Sequence, residues 1–157
     1  MATMVGTQSD LSSFLKELIE LEYDAVEAYR TALDRLTDRD NQRQINTFLA
    51  DHQRHVSELT GFMRSMGESP PDGGDIKQVL TKGKVFLGSI FGDRAILMAM
   101  KTNEDDTNTA YERAVGRTDL TMQLRNIMEK HLADERRHRD WIEMRVSSSE
   151  RTSSSMR

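Results

Sequence analysis

The chain has 157 residues, which is long enough for one domain with a buried core. It contains no cysteine, which excludes disulfides, thiolate metal ligands and cysteine nucleophiles. The net charge of −4 comes from 26 acidic and 22 basic residues that are interspersed, and no apolar run approaches the roughly 20 residues needed to cross a membrane. The start of the chain lacks the layout of a signal peptide. We therefore expect a cytoplasmic protein with neither a nucleic acid nor a membrane as partner.

The first two predicted helices form an antiparallel pair. Residues 1–9 show no pattern and are expected to be a disordered tail, and Ser9 or Asp10 is placed to cap a helix over about 11–36. A short polar link leads to a second helix over about 41–66. The residues predicted to face inward recur every three or four positions. On the first helix they are Leu11, Leu15, Leu18, Glu22, Ala25, Tyr29, Ala32 and Leu36, and on the second Ile45, Phe48, His52, His55, Leu59, Phe62 and Met66.

A long connection separates this pair from the rest of the chain. Residues 67–74 are rich in glycine and proline and end the second helix. Residues 75–92 are apolar but contain three glycines, which predicts a crossover with a short helix in it. The pattern leaves open whether this segment covers a functional site.

The last two predicted helices form a second pair. The third runs over about 93–115 and the fourth over about 119–146, with Thr118 as its cap. Residues 147–157 are serine-rich and are expected to be disordered. Together the patterns predict an all-α fold, a four-helix bundle over residues 10–146 made of two antiparallel hairpins joined by one long crossover.

The two halves of the chain resemble each other. Glu22 and Tyr29 in the first half are echoed by Glu104 and Tyr111 in the second. The segment Asp51-His52-Gln53-Arg54-His55 is echoed by Asp134-Glu135-Arg136-Arg137-His138, at an offset that differs from the first by a single position. A nearly constant offset predicts a repeated helical hairpin and a pseudo-twofold bundle.

Polar residues interrupt the apolar faces near the middle of every long helix. These residues are three glutamates and all four histidines of the chain. They are Glu22, His52, His55, Glu104, His131, Glu135 and His138. A buried carboxylate without a partner costs several kcal/mol, on the order of the penalty for any desolvated ion. A divalent cation is the simplest common partner, and carboxylates with imidazoles suit iron, manganese or zinc. Taken singly, Glu22 could be a boundary residue and His131 an ordinary core histidine.

Tyr29 and Tyr111 each lie seven residues after one of the glutamates. They could simply fill the core. Alternatively, their hydroxyls could donate hydrogen bonds to a ligand carboxylate on a facing helix, the kind of support that metal ligands usually have.

This pattern resembles the ferritin-like di-metal carboxylate proteins such as bacterioferritin and rubrerythrin. Those bundles combine a glutamate from each of two helices with Glu-x-x-His from each of the other two. Glu22 with Tyr29 is similar to the motif of their first helix, and Glu104 with Tyr111 to that of their third. Residues 124–127 and 134–143 are similar to the fourth helix of bacterioferritin. The resemblance covers about residues 11–146, and the layout is closest to a small bacterial ferritin-like branch known only as a domain of unknown function.

The chain departs from this pattern at His52, where the resemblance would place a bridging glutamate. Two divalent ions bring four positive charges, whereas Glu22, Glu104 and Glu135 bring only three negative ones. Asp51 could supply the missing carboxylate, or His52 could bind as a terminal ligand. A site for one ion is the other outcome.

The resemblance implies a di-iron or di-manganese site that uses oxygen or peroxide to oxidise iron. Glu22 and Glu104 would be terminal ligands and Glu135 the bridge. His55 and His138 would be the imidazole ligands, with Asp51 and His131 as weaker candidates. Two alternatives remain: a single zinc ion held by His52, His55, His138 and one carboxylate, and a metal-free bundle with a structural or stress-associated role. Metal ions are the expected partners, in a monomer or a homodimer.

Overall fold

The computed structural model describes residues 2–73 and 90–155, and over these ranges it is an all-α four-helix bundle. The predicted fold class is confirmed. The helices are α1 (Leu11–Arg35), α2 (Arg39–Ser65), α3 (Asp93–Val115) and α4 (Met122–Ser155). The most extensive contacts join α1 to α2 and α3 to α4, as expected for two hairpins, whereas the contacts between α1 and α3 and between α2 and α4 are less extensive. Most of the 75–92 crossover, in which a short helix is predicted, lies outside the described ranges.

The helix ends follow from local capping. The Asp10 side chain accepts a hydrogen bond from Ser13 N at 2.9 Å and so caps α1, as predicted. The start of α4 differs from the prediction of Thr118 as its cap. The hydroxyl of Thr121 accepts from Leu124 N at 3.2 Å, and residue 122 is the first in the helix. Arg117 pairs with Asp119 at 2.7 Å and contributes to the turn that delays the helix.

Two apolar clusters fill the bundle, one toward each end. The first contains, among others, Phe14, Leu15, Leu18, Leu59, Met63, Ala114, Leu124 and Met128. The second contains, among others, Val26, Ala32, Ile45, Phe48, Ile96, Leu97, Met100 and Ile142. The inward-facing polar residues of all four helices lie between these clusters and are buried.

Residues 2–9 lie against the bundle, contrary to the predicted disorder. Arg113 Nη1 donates to Thr3 O at 2.7 Å and to Val5 O at 2.8 Å, and Arg117 Nη1 donates to Gln8 O at 2.7 Å. These bonds end on backbone carbonyls, which every residue carries. A side-chain pattern therefore contains no sign of them.

In the tail predicted to be disordered, residues 147–155 belong to α4, which continues to Ser155. The hydroxyls of Ser148 and Ser149 donate to Arg145 O at 2.9 and 3.0 Å, and Thr152 donates to Ser148 O at 3.3 Å. Serine and threonine in a helix can bond to the preceding turn in this way, so their polarity does not by itself end the helix. Even with this extension, none of the helices in the described part of the chain is long and apolar enough to cross a membrane.

Asp93, the first residue of α3, ties the second hairpin to the first. Its carboxylate accepts from Thr37 N and Asp38 N, both at 2.9 Å, and from Asn41 Nδ2 at 3.0 Å. These groups belong to the link between α1 and α2 and to the first turn of α2. One side chain thus fixes the start of α3 against the link of the first hairpin and the start of α2.

We expect Asp93→Ala to lower the free energy of unfolding by about 1–2 kcal/mol, because several backbone and side-chain donors lose a charged acceptor. Chemical denaturation followed by circular dichroism measures this change. The control is Asp40→Ala at the same end of the bundle, where the exposed carboxylate pairs with Arg43 one turn along the helix and a loss below about 0.5 kcal/mol is expected. Equal losses in the two variants would contradict the role given to Asp93.

Candidate metal centre

All seven polar residues predicted on the core faces are fully buried. They form one layer at mid-bundle, contributed by every helix: Glu22, His52, His55, Glu104, His131, Glu135 and His138, each with 0% exposure. Seven titratable side chains in one dry layer need partners that offset their desolvation.

Six of the seven residues form two overlapping groups that could each hold a metal ion. The first group is Glu22, His52, His55 and Glu135, and the second is His52, Glu104, Glu135 and His138. Within each group the candidate ligand atoms lie within 4.8 Å of one another. His52 and Glu135 belong to both groups. Each group offers two carboxylates and two imidazoles, a donor set that suits iron, manganese or zinc.

In the first group, two imidazoles lie within hydrogen-bond distance of the Glu22 carboxylate. Its Oε2 lies 2.8 Å from His52 Nδ1, and its Oε1 lies 3.1 Å from His55 Nδ1. His55 Nδ1 is also 3.1 Å from Glu135 Oε1. One carboxylate from α1 thus meets two imidazoles from consecutive turns of α2.

The second group is more open. His52 Nε2 lies 3.3 Å from Glu104 Oε1, and His138 Nδ1 lies 3.7 Å from the same oxygen. His138 Nδ1 is 4.0 Å from Glu135 Oε2. These donors surround a common position without all bonding to each other.

Three atoms at the centre of the layer lack hydrogen bonds. Both carboxylate oxygens of Glu135 and Nδ1 of His138 are buried and have no hydrogen-bond partner in residues 2–73 and 90–155. An unsatisfied buried polar atom costs about 1–3 kcal/mol, and more if charged. All three atoms are common metal-ligand types, and Glu135 belongs to both groups while His138 belongs to the second. The donor set and its unmet bonding capacity therefore fit a divalent cation.

The charges in the layer separate the three glutamates. Burial alone would raise the pKa of Glu22 and Glu104, but the adjacent histidines hold the pKa of both well below the ordinary value. Burial, together with the negative charges of Glu104 and Glu22, raises the pKa of Glu135 to about 7 despite the opposing effect of His52. Without a cation, Glu135 is thus the carboxylate that holds a proton near neutral pH.

The two tyrosines support two of the layer's carboxylates crosswise. The hydroxyl of Tyr29 on α1 donates to Glu104 on α3, and that of Tyr111 on α3 donates to Glu22 on α1, the latter at 2.5 Å. Both rings are fully buried. The structure thus favours hydrogen bonding to the carboxylates over core filling alone.

Two aspartates hold the outer sides of two histidines. Asp134 Oδ2 lies 2.9 Å from His55 Nε2, and Asp51 Oδ2 lies 2.8 Å from His138 Nε2. A carboxylate on one ring nitrogen fixes the proton there and leaves the other nitrogen free to bind a metal. The sequence predicts Asp51 as a weaker ligand, but the structure places it in neither group of candidate ligands.

Two arginines complete this outer layer, and sequence reasoning misses them. Arg54 Nη2 lies 2.5 Å from Asp134 and 3.2 Å from Asp51, while Arg137 Nη2 lies 2.6 Å from Asp51 and its Nη1 lies 3.1 Å from Asp134. The four side chains thus link α2 to α4. The signal that could have found them is the repeated Asp-x-x-Arg-His.

His131 lies outside both groups. Its ring stacks on that of His55 with centroids 3.9 Å apart. Its Nδ1 lies 3.1 Å from the Tyr111 hydroxyl and its Nε2 lies 2.8 Å from Glu58, which no sequence pattern singles out. Burial and the charge of His55 lower the pKa of His131 to about 4.

The residue that corresponds to His131 in the other half of the chain is Phe48, whose ring lies 4.2 Å from that of His138. The repeat is therefore broken here.

A family match covers residues 10–117, well over half of the chain. The chain belongs to the family described as Domain of unknown function (DUF2383). The matched part of this DUF2383 member spans α1 to α3 and contains Glu22, His52, His55 and Glu104. No curated protein and no solved structure matches the chain. The ferritin-like kinship inferred from the sequence is not named by the family match and stays a prediction.

The metal-free protein should carry a pH-dependent cost at Glu135. Because burial raises its pKa in the fold from 4.5 to about 7, the stability linked to its bound proton is full below about pH 4.5 and is lost as the pH rises through about 7. We expect Glu135→Gln to be more stable than the wild type above pH 7.5, by about 3 kcal/mol, because each pKa unit corresponds to about 1.4 kcal/mol. The two proteins should differ little near pH 5.

This difference is measured by denaturant unfolding in the presence of a chelator, at pH 5 and pH 8. The control is Glu129→Gln at an exposed position of α4, which should show no such dependence on pH. A Glu135→Gln variant that is less stable than the wild type at pH 8 would contradict the inference that the ionised Glu135 carboxylate destabilises the fold.

Proposed function

We propose that this protein is a ferritin-like metal-binding protein that holds two divalent ions, iron or manganese, in the buried layer at mid-bundle. The observation that carries the proposal is the pair of overlapping four-residue groups with His52 and Glu135 in common. The unpartnered Glu135 oxygens and His138 Nδ1 support it, because they are the atoms that a cation would satisfy. Family membership alone gives no function.

Each residue has a distinct part in this proposal. Glu22 and Glu104 would be the terminal carboxylates, and Glu135 would give one oxygen to each ion. His55 and His138 would bind through Nδ1. These assignments use only residues of the two candidate groups. All of these side chains are fully buried, which would exclude bulk water from the ions.

The surrounding residues prepare these ligands before an ion arrives. Tyr29 and Tyr111 each hold one carboxylate oxygen and so restrict the rotation of Glu104 and Glu22. Asp51 and Asp134 fix the proton of His138 and His55 on the outer nitrogen. Iron bound here would supply one-electron chemistry toward dioxygen or peroxide, so oxidation of ferrous iron is the activity that we propose. Pre-set ligands lower the cost of ordering the site on binding.

A single structural ion is the second candidate. Each group by itself has four donors, two nitrogens and two oxygens, which is the number that a closed tetrahedral zinc site requires. The short distances between the donor atoms of the first group favour this alternative. Metal stoichiometry separates it from the two-ion proposal.

We expect about two ions per chain in the wild type after anaerobic loading with ferrous ion, and loss of both in Glu135→Ala/His138→Ala, because this change removes the shared carboxylate and an imidazole. Metal content is measured by inductively coupled plasma mass spectrometry. The matched control is Glu129→Ala/Glu143→Ala, which removes two exposed carboxylates of the same helix and should keep both ions.

One ion per chain without a response to oxygen would favour the structural zinc site. No bound ion in the wild type after loading would refute the metal proposal. Admission of air to the loaded wild type, followed by absorbance in the near ultraviolet, tests the oxidation. A two-ion protein that stays colourless would remove the activity while leaving the binding intact.

The aspartates outside the site should tune affinity without being ligands. We expect Asp134→Asn and Asp51→Asn each to weaken metal binding by about 10–100-fold, because each loses the charged partner that orients a ligand histidine. Competition with a chromophoric chelator measures this affinity. Asp140→Asn, at an exposed position of α4, is the control and should bind as the wild type does. Unchanged affinity in both outer variants would contradict the orienting role.

A further inference from the structure

His52 differs from the other two candidate histidine ligands in the direction of its nitrogens. His55 and His138 each give Nε2 to an aspartate on the outside and only Nδ1 to the interior. Both nitrogens of His52 face the interior. Its Nδ1 lies 2.8 Å from Glu22 Oε2, and its Nε2 lies 3.3 Å from Glu104 Oε1.

The two nitrogens of His52 therefore face different groups. Glu22 belongs only to the first group and Glu104 only to the second. The ring is fully buried and lies against the ring of Tyr29, with centroids 4.8 Å apart. It stands between the two candidate ion positions with one donor atom toward each.

The repeat gives this orientation a chemical meaning. His52 corresponds to Glu135 in the second half of the chain, and Glu135 divides its oxygens in the same way. Its Oε1 is 3.1 Å from His55 Nδ1 in the first group, and its Oε2 is 4.0 Å from His138 Nδ1 in the second. A carboxylate presents two donors on either side of one carbon atom. The Nδ1–Cε1–Nε2 unit of an imidazole does the same.

We propose that His52 is a bridging ligand, which binds one ion through Nδ1 and the other through Nε2. This proposal rests on the two-ion function proposed above and adds the nature of the bridge. In the metal-free layer each ring nitrogen faces a carboxylate oxygen and can carry a proton. Each ion that binds would break one N–H bond, release that proton to solvent and use the freed electron pair for the new metal–nitrogen bond, so two ions release two protons.

The bridge also closes the charge balance of the site. Glu22, Glu104 and Glu135 bring three negative charges against the four positive charges of two divalent ions. A ring that has lost its remaining proton brings the fourth. His52 then replaces the carboxylate that the repeat would place there, in charge as well as in the number of donor atoms.

The bridge makes a geometric prediction that activity measurements are not needed to test. Two metal–nitrogen bonds of about 2.0–2.1 Å on opposite sides of the ring place the ions roughly 6 Å apart. Two-metal sites without such a bridge hold their ions about 3.5–4 Å apart. The separation is measured on the wild type loaded with cobalt(II), by anomalous scattering from crystals.

The expected result is two ions at the longer of these separations, with the His52 ring between them. Two ions at the shorter separation, with His52 bound to only one of them, would overturn the bridge but leave the two-ion function intact. Fewer than two ions in the wild type would overturn both. The three outcomes are thus distinguishable in one experiment.

Two substitutions separate a bridging role from an ordinary ligand role. His52→Glu supplies a carboxylate bridge, so it should keep both ions and shorten their separation to about 4 Å. His52→Gln supplies one good donor atom and should lose at least about 100-fold in affinity for one of the two ions. Thermal unfolding of each metal-free variant shows whether it folds. Two tightly bound ions in folded His52→Gln would refute the bridge.

Discussion

The burial of three carboxylates and four histidines in one layer is the constraint on which the rest of this bundle depends. Removing such groups from water costs far more than one domain can tolerate unless each charge meets a partner. Glu22 and Glu104 meet imidazoles and a tyrosine hydroxyl. Glu135 meets no hydrogen-bond donor in the described part of the chain. The layer therefore has bonding capacity that protein groups alone do not fill.

The repeat explains how so many polar contacts fit together. Each supporting pair has a counterpart in the other half: Tyr29 with Glu104 and Tyr111 with Glu22, Asp134 with His55 and Asp51 with His138. The tyrosine pairs join α1 to α3 and the aspartate pairs join α2 to α4, so each contact connects helices of different hairpins. Where the halves differ, at His52 and Glu135 and at Phe48 and His131, the two candidate ion positions become chemically unequal.

The sequence predicts the first three helices within two residues at each end, because their apolar periodicity and caps are local. It also predicts the buried polar layer, since a glutamate or histidine at a core position is conspicuous. The sequence does not predict the roles of Arg54, Arg137 and Glu58. A partly exposed charged residue occupies the same kind of position in the hydrophobic periodicity as a fully solvated one. The sequence also does not predict that α4 continues to Ser155, because the serine hydroxyls donate to carbonyl acceptors within the helix itself.

His52 reconciles two requirements that a glutamate at this position would set against each other. Four buried carboxylates would repel one another in the metal-free bundle, and one or more would have to take up a proton. His52 instead bonds to Glu22 and Glu104, and their charges, with that of Glu135, raise its pKa well above the ordinary value despite burial. The ring thus stabilises the metal-free layer as a cation and still presents two donor atoms to incoming ions. A residue that departs from the ferritin-like pattern is, on this physical ground, suited to both states of the protein.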